Sequence, residues 1–536
     1  MSIFKEQRPN IVWISLEDTS PRFGCYGDPA ARTPNMDRLA SEGTIFVHAF
    51  STAGVCAPSR AAVITGMYQT TIGAQHMRTS HTNRLTPEMP TPYEVVPPPY
   101  VKAFPEYLRS VGYYCTNNQK TDYQFEAPLT AWDECGSSAH WRHRDADQPF
   151  FAVFNPLVTH ESGMWRDLDE LPATDPDQLT LPPYLPNTRK ARVALARHYD
   201  HIAQADAEVG SLLLQLKEDG LEQNTIVFLW SDHGEGLPRA KRWPYDQGIR
   251  VPMIVRWPGS LRPGTTDERL VSLVDLAPTV LSLAGVDIPF HFQGVPFLGD
   301  KHQDRPYVFA ARDRYDESYD MVRAVRDSRY KYIRNYYPNQ PYLQWIPYSH
   351  QHPVWQEMWR LHFEGTLTPA QGQMFQTRRP VEELYDCEAD PFELDNLAGN
   401  PNLAATIERL RSELDRWMSQ FGDFGHIPES QMVEQMWPGG VQPETARPIF
   451  LAITPSCHGR EAAHEEQDLE GPVEVMIHCA TQGASIAYTT DPSPTAPFKL
   501  YTGPVRLSLG ETVLRAKAIR IGYLASREAQ GVFRVR

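Results

Sequence analysis

Three short apolar runs rich in β-formers each end abruptly in polar, chemistry-bearing residues, and this pattern constrains the fold more than any other feature of the chain. Asn10-Ile11-Val12-Trp13-Ile14-Ser15-Leu16 is followed at once by Glu17 and Asp18. Thr225-Ile226-Val227-Phe228-Leu229-Trp230-Ser231 is followed by Asp232 and His233, and Phe150-Phe151-Ala152-Val153-Phe154-Asn155 leads to His160. Uninterrupted apolar runs of this length suit strands buried on both faces of a parallel sheet. Ligands of open α/β sheets bind outside the carboxyl ends of the strands, so these polar groups are expected to meet there. Helical patterns lie between the runs, as over 191–217, where apolar residues recur at three- and four-residue intervals. The reading is α/β: a largely parallel central sheet flanked by helices.

Past residue 318 the texture changes. Residues 321–326 and 330–334 flank Asp327-Ser328-Arg329 in a hairpin-like arrangement, and a helix is predicted over 401–421. A chain of 536 residues exceeds what one core serves. We therefore expect a catalytic-type domain over 1–318 and a small antiparallel subdomain with one helix over 319–425. A Gly- and Pro-rich linker over 426–448 and a small β-sandwich over 449–536 would follow. In that last part 485–491, 500–505 and 514–518 alternate with period two between turn signals.

Hydrophobic residues at 41% and charged residues at 22% are ordinary for a globular protein and exclude whole-chain disorder. A net charge of -15 argues against a nucleic-acid partner, which rewards clustered Lys and Arg. It leaves room for an anionic substrate held by a local cluster of cations. Seven cysteines (Cys25, Cys56, Cys115, Cys135, Cys387, Cys457, Cys479) at irregular spacing fit reduced thiols better than a disulfide framework. The first residues lack the apolar stretch of a signal peptide, and no segment has eighteen uninterrupted apolar residues. The expectation is a soluble, cytoplasmic protein with no membrane partner, although a trimmed secreted form would look the same at this end.

The pentapeptide Cys56-Ala57-Pro58-Ser59-Arg60 lies between Thr33-Pro34-Asn35-Met36-Asp37-Arg38-Leu39-Ala40 and Ala61-Ala62-Val63-Ile64-Thr65-Gly66. With Glu382-Glu383-Leu384-Tyr385-Asp386, Asp390-Pro391-Phe392-Glu393 and Asn396-Leu397-Ala398, it resembles the type I sulfatases of the alkaline phosphatase superfamily over roughly residues 9–421. The end of the chain, including Gly522-Tyr523, resembles the module that trails some chitobiases and hexosaminidases. That module is usually non-catalytic, which implies packing or a homo-oligomer contact rather than sugar binding.

The resemblance implies that a formylglycine-generating enzyme oxidises Cys56 to an aldehyde. One hydroxyl of its hydrate would attack sulfur, and the other would later expel sulfate. It implies a divalent metal, calcium favoured and manganese possible, held by Glu17, Asp18, Asp232, His233 and the residue at Cys56. Glu17 stands for the usual first Asp and His233 for the usual Asn, and a nitrogen donor tilts the site toward manganese. Arg60 would hold the nucleophile's hydroxyl. Lys120, eight residues after Gly112, and Lys241, eight before Ile249, stand at the family intervals for sulfate-binding lysines. His160 would protonate the leaving oxygen.

The family His two residues past Lys120 is Asp122 here, so its role stays open between Asp122 and His76. His76 and Arg78, with Arg312 and Arg314, are expected to line the pocket mouth and bind a sugar or its carboxylate, a solvated loop being the other reading for the last two. The implied substrate is a small or oligosaccharide sulfate ester, most of all a sulfated carbohydrate. Two alternatives remain: a phosphonate monoester or phosphodiester hydrolase, suggested by His233, and a binding protein with a decayed core, suggested by Asp122.

Overall fold

A computed structural model describes residues 8–82, 84–166, 170–456 and 466–536. The start of the chain over 1–7 and Cys457, both used above, lie outside the described residues. The chain divides into two compact units, one made of 1–78, 83–87 and 153–426, the other of 79–82, 88–152 and 427–536.

In the first unit the strand Asn10–Leu16 is buried at all seven positions and pairs in parallel with the equally buried Thr225–Ser231. The register sets Asn10 opposite Thr225 and Leu16 opposite Ser231, so both strands end at the same level. β-Branched and aromatic residues fill both faces, with Trp13 and Trp230 edge to face at 5.5 Å. Met253–Arg256 joins antiparallel on the other side of Thr225–Ser231. Thr44–Phe50 pairs antiparallel with Met253–Arg256 and parallel with Thr265–Ser272. The sheet is thus parallel where the polar strand ends meet.

The predicted helix spans Arg189–Glu218, and Thr188 caps it by accepting the Ala191 N–H. It buries Leu195, Tyr199, Ile202, Val209, Leu213 and Leu216 along one stripe. Four antiparallel strands follow in the order Val308–Arg312, Val322–Arg326, Tyr330–Asn335, Glu382–Asp386, and the middle pair is the expected hairpin. The helix Ala404–Phe421 covers this sheet through Leu410, Leu414 and Trp417, with Trp417 stacked on Phe309 at 5.0 Å.

The second unit contains the C-terminal β module, with Phe450, Val475, Ile477, Leu514 and Phe533 in its core. The strand expected over 500–505 splits into Lys499–Leu500 and Val505–Leu507. Gly503 and Pro504 cause the break, since proline brings no N–H to a ladder. The stretch 426–448, expected as a linker, carries the helix Glu429–Met436, whose Met432 is buried and whose Glu429 accepts the Tyr93 hydroxyl at 2.8 Å. Residues 88–152 fall in the second unit together with the module. Lys102 Nζ donates to Ser485 Oγ at 2.9 Å, and Arg109 donates to the Phe498 carbonyl at 3.1 Å. Gly522 has a φ of +79°, and a Cβ there would lie 2.3 Å from the Val95 carbonyl oxygen, so this close approach admits only glycine. Among the described residues no helix is long and apolar enough to cross a membrane.

Candidate active site

The aligned ends of the two parallel strands deliver four of the expected groups. Asp18 takes a left-handed turn at φ 47°, which stops the strand and turns its carboxylate inward. Its Oδ1 lies 2.9 Å from His233 Nε2, while Oδ2 accepts from Lys241 Nζ at 2.7 Å and from the Glu161 N–H at 2.6 Å. Cys56 is the first residue of the helix Cys56–Thr65, entered from extended Val55, and every residue of that helix is buried. A helix amino end favours negative charge on the group it presents. Cys56 Sγ lies 3.4 Å from His233 Nε2 and 4.0 Å from both Asp18 Oδ1 and Lys241 Nζ.

One turn further along the same helix, Arg60 spreads its guanidinium over three partners: Asp232 at 3.1 Å, Glu17 at 3.0 Å and Asn155 at 3.0 Å. Ser59 Oγ donates to the Asp232 carbonyl at 2.6 Å. Spacing within Cys56-x-x-Ser59-Arg60 therefore lets one helix end carry Cys56 and clamp the neighbouring strand end. Lys241 is held from its other side by Glu161 at 3.1 Å, and both Nη atoms of Arg242 grip Glu161 at 3.1 and 2.8 Å.

Burial sets the electrostatics. It pushes against the Asp18 charge, yet Lys241, His233 and His160 hold that carboxyl well below its usual range. Burial likewise opposes the His233 cation, but Asp232, Asp18 and Cys56 outweigh it and raise the imidazole to about 10. Glu161 reaches about 2 because Arg242 and Lys241 overcome its desolvation. Desolvation lowers His160, which is half-buried with Nδ1 2.9 Å from Ser162 Oγ.

The donor set suits a divalent cation. Asp18, Cys56 and His233 bring ligand atoms within 4.8 Å of one another, Asp232 Oδ1 accepts the Asp18 N–H at 3.2 Å, and Arg60 bridges Asp232 to Glu17. Carboxylate oxygens with one imidazole match a hard or borderline ion. The fit rests on geometry: the buried carboxylates of Asp18 and Asp232 converge on His233 Nε2 at 2.9 and 3.8 Å, a concentration of negative charge that a cation would balance.

The remaining expected residues divide. Met77 packs in one cluster with Cys56, which brings His76 and Arg78 near the helix Cys56–Thr65. His76 is 5% exposed and accepts the Arg314 N–H on Nδ1 at 3.3 Å. Arg78 stays half-exposed, with Asp316 at 3.4 Å and its guanidinium 5.6 Å from the Tyr348 ring. Arg312 and Arg314, expected at the pocket mouth or on a solvated loop, are 2% and 0% exposed. Arg312 turns to Asp320 and Gln344, and Arg314 to the Met77 and Asp316 carbonyls, because burial obliges each guanidinium to find partners within the fold. Lys120 lies in the second unit, 3.7 Å from Asp122. Asn155, Glu161 and Arg242 escaped the sequence reading as site residues. Glu161 adjoins His160 and Arg242 adjoins Lys241, but no spacing rule marks either.

A buried cysteine at a helix start, ringed by strand-end carboxylates and lysine on an alkaline phosphatase-like α/β fold, fits an ester hydrolase. The Sulfatase family model matches residues 9–134 and 137–286, and the chain belongs to that family. The C-terminal model of N-sulphoglucosamine sulphohydrolase matches 234–361, and the chitobiase/β-hexosaminidase C-terminal domain matches 466–529. The chain is 43% identical over 565 aligned positions to an ulvan-active sulfatase of Formosa agariphila, covering 98% of this chain and 91% of that protein. It is 27% identical over 478 positions to N-sulphoglucosamine sulphohydrolase of Homo sapiens, covering 80% and 94%. A solved 2-O GAG sulfatase shares the fold with a TM-score of 0.57 at 21% identity, over 78% of this chain and 93% of that one. The protein is a sulfuric ester hydrolase.

Proposed function

We propose that the protein releases sulfate from a sulfated carbohydrate, acting through Cys56 after its oxidation to formylglycine. Glu17, Asp18, Asp232 and His233 would hold a divalent metal, calcium or manganese. The observation that carries this reading is the position of Cys56 Sγ, 3.4 Å from His233 and 4.0 Å from Asp18 and Lys241. The aldehyde hydrate supplies the attacking hydroxyl. The metal, when bound, lowers the pKa of that hydroxyl and draws charge from the sulfate oxygens.

The chain's own residues do the rest. Lys241, fixed between Asp18 and Glu161, presents its ammonium to sulfate oxygens beside the nucleophile. Arg60 holds the Glu17 and Asp232 carboxylates in place, so little reorganisation is needed when substrate arrives. His160 donates a proton to the departing sugar oxygen, and burial makes its protonated form a stronger acid. Arg78 and His76, next to Met77 that packs against Cys56, would offer a cation and an imidazole to an anionic saccharide. Identity of 43% to an ulvan-active sulfatase favours a sulfated polysaccharide of that kind.

The test compares sulfated ulvan oligosaccharides, an aryl sulfate and a phosphonate monoester, using protein whose Cys56 conversion is confirmed by peptide mass spectrometry. Sulfated saccharide is expected to give the highest kcat/KM. Cys56→Ala is expected to keep the fold and lose turnover. An active Cys56→Ala protein, or preference for the phosphonate, overturns the reading.

A further inference from the structure

Next to Lys241, on the side facing Arg242, lies a cavity of about 20 Å³ whose wall includes Glu161, Arg242, Trp243, Arg312 and His352. A space of this size admits one water-sized or monatomic occupant. Arg312 spends Nη2 on Gln344 at 2.8 Å, lays Nε 3.2 Å from Asp320, and stacks its plane 3.9 Å from the Trp243 ring. Its Nη1 has no hydrogen-bond acceptor among the described residues. His352, 1% exposed, accepts the Val354 N–H on Nδ1 at 3.1 Å, so Nε2 carries the hydrogen. That Nε2 also has no partner among the described residues, and neither has Arg242 Nε, whose nearest carboxylate is Asp316 at 4.0 Å.

The carboxylate and amide acceptors of this wall already serve other donors: both Glu161 oxygens serve Arg242, Oε1 also faces Lys241, and Gln344 Oε1 serves Arg312. Buried donors left without acceptors are costly. A water would accept from two of them but would still have two hydrogens to place, whereas a monatomic anion only accepts. Charge points the same way: burial lowers Arg312 to about 10 despite Asp320, with Arg379 and Arg242 adding repulsion.

We propose that this cavity is a buried halide site, taking one chloride-sized anion between Arg312 Nη1, Arg242 Nε and His352 Nε2. Its wall shares Lys241 and Glu161 with the active site but includes none of Cys56, Asp18 and His233. The ion secures the far end of the chain Arg242–Glu161–Lys241, and so the lysine that reaches Cys56.

The test uses the full chain. Crystals soaked in bromide and measured at the bromine absorption edge are expected to show an anomalous peak in hydrogen-bonding contact with Arg312 and His352. The melting temperature is expected to rise with the logarithm of chloride concentration when gluconate keeps ionic strength constant, as mass action requires. Arg312→Gln removes the unpaired Nη1. His352→Asn removes the Nε2 donor while keeping a good helix cap, and it carries the test if Arg312→Gln does not fold. Both variants are expected to lose the bromide peak and the chloride dependence. Water alone in the cavity, identical melting in the two salts, or an unchanged chloride response in His352→Asn overturns the proposal.

Discussion

Replacing His198 by leucine is expected to stabilise the protein, and to do so more in acid than in base. His198 lies in the helix Arg189–Glu218 with no exposed surface, and neither ring nitrogen has a hydrogen-bond partner among the described residues. Burial, helped by Arg22 and His201, lowers its pKa from 6.5 to about 3. The folded protein therefore keeps this ring neutral while the unfolded chain protonates it below 6.5. Fewer protons are bound in the folded state, so stability falls as pH drops through 6.5 and goes on falling toward 3. Between pH 8 and pH 5 the cost of this one group is about 2 kcal/mol at 1.36 kcal/mol per tenfold change in proton affinity. Leucine has no titrating group, similar bulk and a better helix propensity. It also removes a buried polar ring whose unmet hydrogen bonds cost about 1–3 kcal/mol. Urea unfolding followed by tryptophan fluorescence at pH 8 and pH 5 measures both effects, because other titrating groups cancel in the difference between the two proteins. The expected gap between His198→Leu and wild type widens by about 2 kcal/mol at the lower pH. A gap that stays constant, or a variant less stable than wild type at both values, refutes the reasoning.

His160→Gln is expected to lower kcat roughly 10²- to 10⁴-fold for alkyl sulfates, whose leaving oxygen needs a proton. An aryl sulfate with a stable phenolate should be little affected, and equal losses on both would argue against His160 as the donor. Dialysis against a chelator is expected to abolish turnover and lower the melting temperature, since the carboxylates around His233 lose their counter-charge. Calcium or manganese restores both, and full activity after verified metal removal would sink the ligand assignment. Gly522→Ala must strain a φ of +79° and push against Val95, while Gly510→Ala at φ +104° meets nothing within 4 Å. Positive φ strains both variants, so the clash with Val95 sets the difference: the first is expected to cost about 1–3 kcal/mol more than the second, seen as faster limited proteolysis of the second unit.

Much of the site was legible because covalent neighbours report it. Strand periodicity placed Glu17, Asp18, Asp232 and His233 at strand ends, and a parallel register brought those ends level. The pentapeptide was legible for the same reason: one helix turn separates Cys56 from Ser59 and Arg60, so a single local geometry fixes all three. The helix over 191–217, the hairpin around Asp327 and the chitobiase-like module likewise follow from local period and turn chemistry.

Tertiary structure alone decided the rest. Arg312 and Arg314 look like exposed loop cations in the sequence, yet their partners Asp320, Gln344 and the carbonyls of Met77 and Asp316 come from chain segments folded over them. Glu161 reads as an ordinary acid after a histidine, and it became the support of Lys241 only when residues eighty positions apart in the chain met. Residues 88–152 joined the C-terminal module through contacts such as Lys102 with Ser485, which no local pattern announces. The sequence by itself determined the elements and the chemistry each would present, because backbone period and motif spacing are local properties. Which charges are buried together, and hence what each group's proton affinity becomes, depends on distances between remote segments that exist only in the folded chain.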